Sequence, residues 1–64
     1  MSAGEIYSTL RKGDVCDLPI AGGKVRVVVD CAFIAFQTIC IVDKHGRAYK
    51  LQPMARVRVV ERAA

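Results

Sequence analysis

Three cysteines, Cys16, Cys31 and Cys40, and one histidine, His45, are the side chains of this 64-residue chain best suited to hold a metal or attack a substrate. Their spacing argues against both roles. Structural zinc ligands come in close pairs such as Cys-x-x-Cys, and no two cysteines stand that near here. A reactive thiol wants a neighbouring cation or a helix N-terminus. Cys40 lies instead in the aliphatic run Ile39-Cys40-Ile41-Val42, which predicts an inert apolar side chain. Cys16, between Val15 and Asp17, is the cysteine predicted to reach solvent. The odd cysteine count, and a start, Met1-Ser2-Ala3-Gly4, that lacks a basic stretch leading into an apolar one, predict reduced thiols and a cytoplasmic protein.

Acid–base chemistry needs two titratable groups held close in contrasting environments. Asp14, Asp17, Asp30 and Asp43 are scattered over predicted turns and strand ends, and His45 falls at a predicted turn tip. Gly22-Gly23 lacks the strand–loop–helix setting and the Lys-Ser/Thr of a phosphate loop. No catalytic residue, metal or cofactor is therefore predicted, and a non-enzymatic role is favoured.

Charge is the stronger signal. Residues 44–64 carry six cations against Glu61, a net +5, while residues 1–43 sum to −1. A basic C-terminal third points to an anionic partner, with Lys44, Arg47, Lys50, Arg56 and Arg58 as candidate nucleic-acid contacts. Single-strand binders interleave such cations with stacking aromatics. Only Phe36 is a candidate stacker, and it lies outside the basic segment. A solvated basic face is the competing reading of the same residues.

These side chains must be carried by short strands. Residues 1–10 have no clear period and are expected as a loosely ordered lead-in, with Ile6, Tyr7 and Leu10 able to share one helical turn. Lys12-Gly13-Asp14 signals a turn into a first strand at Val15–Leu18, which Pro19 ends. Val25, Val27 and Val29 fall on one face and Arg26, Val28 and Asp30 on the other, and the β-branched run predicts a strand whose continuing period puts Cys31 and Phe33 inside. Ile39–Val42 leads through Asp43-Lys44-His45-Gly46, a type I turn with a left-handed glycine, into a partner strand with Tyr49 and Leu51 inward. Pro53 starts a single 3-10 turn before a last strand with Val57 and Val59 inward. The expectation is all-β: a small five-stranded antiparallel SH3-like barrel over residues 11–62.

The pattern of strand, polar-Gly turn, strand, Pro turn and strand in "IVDKHGRAYKLQPMARVRVVE" resembles SH3-like barrels. Within that class, "KGDV" and "KLQPMARVRVV" are similar to the plasmid-borne type II dihydrofolate reductases, which are oligomeric. The resemblance implies an origin on a mobile element. It also implies an oligomeric NADPH-dependent reductase with Lys50, Leu51 and Gln52 at the family's binding run. Lys50 and Gln52 stand where that family has glutamine and tyrosine, so only the aliphatic residue is kept.

Between Asp30 and Asp43 the chain has no charge at all. Twelve residues are too few for a membrane span, which needs roughly 20. A helix is one reading, since Ala32, Ala35, Phe36 and Ile39 share helical spacing. Two strands reversing near Ile34-Ala35 is the favoured one, because Ile34, Thr38, Ile39, Ile41 and Val42 are β-branched. Both strand periods are apolar, and one small core cannot bury both. Val28, Ala32, Ile34 and Phe36, on the outward period, are the predicted protein interface. Self-association or a partner protein ranks first, nucleic-acid binding second and the reductase third.

Overall fold

A computed structural model describes residues 1–63. It is all-β apart from one turn of helix, with five antiparallel strands in one sheet. The elements are α1 (Ala3–Ile6), β1 (Val15–Ile20), β2 (Gly23–Ala35), β3 (Thr38–Asp43), β4 (Ala48–Leu51) and β5 (Arg58–Glu61). Their order across the sheet is β4-β3-β2-β1-β5. The edge strands β4 and β5 do not pair, so the sheet is not closed.

The core collects the inward side chains of every strand. Cys16 and Leu18 of β1, Val27 and Val29 of β2, Ile39 and Ile41 of β3 and Leu51 of β4 meet Val57 just before β5. Tyr49 and Val59 pack against this cluster, as their alternation predicts. In β1 the inward set is Cys16 and Leu18, not Val15. The prediction of an exposed Cys16 is thus corrected: it is fully buried, and Pro19 lies inside the strand near its hairpin end rather than ending it.

β2 is long because it serves two layers. Its first half pairs β1 from Val28 to Gly23, and its second half pairs β3 from Cys31 to Ala35. Between them the register shifts at Asp30, an extra residue that bends the strand. The bulge breaks the alternation that the valines establish. Cys31 and Phe33 therefore face outward and are exposed, against the sequence expectation, while Ala32 takes the core side.

The run from Asp30 to Asp43 is two strands and not a helix, and it reverses at Phe36-Gln37, two residues later than expected. Both turn residues have positive φ, 51° and 61°. A two-residue hairpin with both central residues left-handed is a type I′ turn, whose twist matches the strands. The β3–β4 turn forms as its sequence predicts, with Gly46 at φ 83° and its N–H donating to Asp43 C=O.

The first residues lie in the gap between β4 and β5. Ala3 and Gly4 N–H donate to the carbonyls of Ala55 and Pro53, and Val57 N–H donates to Met1 C=O. Ser2 and Glu5 form a capping box for α1. Ala3 and Ile6 are fully buried in the core. At Pro53 the chain makes one turn of i→i+3 bonding, Ala55 N–H to Gln52 C=O. No helix among the described residues is long and apolar enough to cross a membrane.

Candidate functional site

The uncharged stretch builds the far half of the β2–β3 hairpin. Its register sets Phe33 opposite Cys40, Ile34 opposite Ile39 and Ala35 opposite Thr38. Ile39 is sealed in the core, yet its partner Ile34 is 51% exposed, so the hairpin reaches past the core that anchors it. Phe36 at the tip is fully exposed. Its backbone sits in a conformation that a bulky side chain adopts at a cost of about 1–3 kcal/mol. A local choice of this kind goes against both solubility and turn chemistry, and such conflicts gather at functional positions.

A second apolar surface lies on the outer face of the same layer. Phe33 and Cys31 from β2, Cys40 and Val42 from β3, and Ala48 from β4 share one side, with Lys50 the lone cation. Cys40 is buried although it lies outside the core cluster, flanked by its cross-strand partners Phe33 and Lys50. Both faces of this half-sheet are thus apolar.

The four predicted interface residues divide between these places. Ile34 and Phe36 lie together at the hairpin tip. Ala32 is half-buried against the core, and Val28 is half-buried on the first half of β2, across the bulge. Sequence periodicity missed Phe33 and Cys31, which the bulge turns outward. The available signal was Asp30 itself, an acid between two apolar runs, held at the surface by Lys12 at 3.6 Å.

The five candidate nucleic-acid contacts are all exposed, and none forms an ion pair among the described residues. Lys44 and Arg47 sit at the β3–β4 turn. Lys50 lines an open cleft with Pro19, Ile20 and Gln52, whose floor is Leu51 in the core. Arg56 and Arg58 line a groove with Lys24 and Pro19 at the other edge. Of the three positions raised by the reductase resemblance, Lys50 and Gln52 thus face solvent and Leu51 does not.

Two carboxylates are buried, and both are fully engaged by structure. Asp43 Oδ1 accepts the amides of His45 and Arg47 at 2.9 Å each, and Tyr49 Oη reaches Oδ2 at 3.5 Å. Burial pushes this carboxyl up, but those amides and the nearby cations outweigh it and hold it below the usual range. His45 is an exposed turn residue whose own N–H serves that cap. Burial pushes the Cys16 thiol up to about 11, so it stays protonated and unreactive. No cluster of metal-ligating side chains occurs among the described residues.

Compared with known proteins, the chain gives no significant match to a family model, a curated protein or a solved structure.

Proposed function

We propose that the protein is a non-enzymatic binding module of SH3-like architecture that self-associates, or engages a partner protein, through the far half of its β2–β3 hairpin. The observation that carries this is Phe36, fully exposed at the tip of a strained turn, in the same uncharged hairpin as the exposed Ile34 and Phe33. Exposed apolar surface of this extent on a small chain marks an interface. The SH3-like assignment draws support from the strand order, in which the last strand returns to β1, and from the turn at Pro53.

Mass in solution tests the reading. Sedimentation should show association that grows with concentration, and Phe36→Asp should reduce it while circular dichroism stays unchanged. A wild-type chain that stays monomeric at high concentration overturns self-association.

The exposed Lys44, Arg47, Lys50, Arg56 and Arg58, none of them in an ion pair among the described residues, favour a second reading, a nucleic-acid-binding barrel. Its mark is binding to DNA or RNA that weakens steeply with salt. No gel shift with single- or double-stranded probes at low salt removes it.

A further inference from the structure

The geometry points to a two-fold dimer in which the free flank of β2, Cys31–Ala35, pairs antiparallel with the same segment of a second copy, with Phe33 on the axis. This rests on the self-association proposed above and gives it a surface and a register.

The flank is identified by its backbone. β1 pairs β2 only as far as Val28, and the last bonds on that side join Val29 to Gly13 and Asp14. Beyond them, β2 has a partner on the β3 side alone. Ala35 and Thr38 flank a two-residue turn, so they exchange hydrogen bonds with each other. Counting back in twos, Phe33 and Cys31 also direct their amides and carbonyls to β3. Those of Ala32 and Ile34 point the other way, and no backbone bond from another segment reaches them among the described residues. The other two edges are short and charged, with Lys50 on β4 and Arg58 and Glu61 on β5, as protected edges are. The β2 flank has neither charge nor proline, the composition of an edge open to another strand.

The occupant follows from self-fit. When Phe33 faces its own copy, Ala32 faces Ile34 and Ile34 faces Ala32. The two residues with free amides and carbonyls then meet each other, closing four backbone hydrogen bonds around the axis. On the core side each Ile34 lies opposite the smallest side chain of the flank. On the outer side the two Phe33 rings form the close, non-hydrogen-bonded pair in which aromatics interact best. The absence of charge leaves nothing to repel an identical strand, and such isologous contact closes at two chains.

Amide exchange on the unmodified chain tests this directly. The Ala32 and Ile34 amides are unbonded in the single chain, so pairing alone protects them. If exchange proceeds only from the monomer, it should slow about tenfold when about nine-tenths of the chains are paired. A cross-link gives a second reading. In a Cys31→Ser, Cys40→Ala background, Phe33→Cys should oxidise to a covalent dimer. A non-hydrogen-bonded antiparallel pair sets the Cα atoms about 4.5 Å apart, within disulfide reach. Val60→Cys, on the exposed β5, should remain monomeric. Association with free exchange at Ala32 and Ile34 overturns the edge pairing and leaves the self-association reading standing. A monomer at every concentration overturns both.

Discussion

Arg62 Nη1 donates to Asp14 Oδ2 at 3.1 Å and so ties the end of the last strand to the turn that begins the first. Ala63 N–H donates to the other carboxylate oxygen at 2.6 Å and Arg11 N–H to Oδ2 at 3.0 Å. Asp14 is 1% exposed, and its acceptors are matched by donors from three points of the chain. This clasp holds β5 in place beside β1, where only short pairing would otherwise secure it.

Acid should loosen the clasp. The Ala63 amide above all, helped by the Arg11 amide and the Arg62 guanidinium, outweighs burial and holds the Asp14 carboxyl below its usual value of 3.8. A carboxyl lowered on folding contributes stability that is full above the unfolded value, about 3.9, and is lost as pH falls through the folded one. Denaturant midpoints measured downward from pH 7 should therefore fall below about pH 4, and Asp43 adds in the same direction. Asp14→Asn should cost about 1–3 kcal/mol at neutral pH, because its amide turns an N–H toward a donor. It should also flatten the acid limb; a variant with the wild-type limb would show that other groups govern it.

The tip of the hairpin trades stability for its exposed ring. Replacing Phe36-Gln37 by Asn-Gly keeps the turn type and suits its positive φ values. Thermal unfolding should show a gain of about 1–3 kcal/mol, the scale of strain at such positions, together with weaker self-association. Loss of stability would mean that Phe36 packs within its own chain.

At Gly4 two effects oppose each other. Alanine is better than glycine in a helix by about 1 kcal/mol. A Cβ there would lie 3.0 Å from the Pro53 carbonyl oxygen and 3.2 Å from its Cβ. Overpacking of that kind costs about 1–3 kcal/mol, and the obstacle is backbone. Gly4→Ala should therefore lower the melting temperature. A rise would mean that α1 does not pack against the Pro53 turn in solution.

The three thiols should react at different rates. Cys31 is exposed, while Cys16 and Cys40 are buried. A thiol reagent applied to the native chain at low concentration should label one cysteine quickly and all three after denaturation. Rapid labelling of Cys16 would contradict its place in the core.

Much of the fold was legible because its signals are local. The Asp43–Gly46 turn, the inward Tyr49 and Leu51, and the inward Val57 and Val59 follow from turn chemistry and alternation within a few residues. Cys16 was misread because its neighbours, Val15 and Asp17, leave the inward period of so short a strand undecided, and Leu18 two residues on sets it. Phe33 and Cys31 were misread because the bulge at Asp30 depends on β2 passing from one layer to the other, a tertiary demand with only a single acid to announce it. The reversal at Phe36-Gln37 carries no turn-forming residue, so composition could not place it. The excess of apolar residues was visible throughout, but which of them reach solvent depended on the bulge.

Asp30 has a further consequence for how the chain can change in length. It occupies a place in the sequence but none in the in–out order of β2. Removing it would leave Val29 facing in, Cys31 out and Ala32 in, so every side chain would keep its side and the strand would lose its bend. An added residue a few positions later would do the reverse, keeping the bend and turning the rest of the hairpin inside out. Insertions and deletions of equal size are therefore not equivalent along this strand. Asp30 is the one point of β2 where length can vary without exchanging the surface that meets water for the one that meets the core.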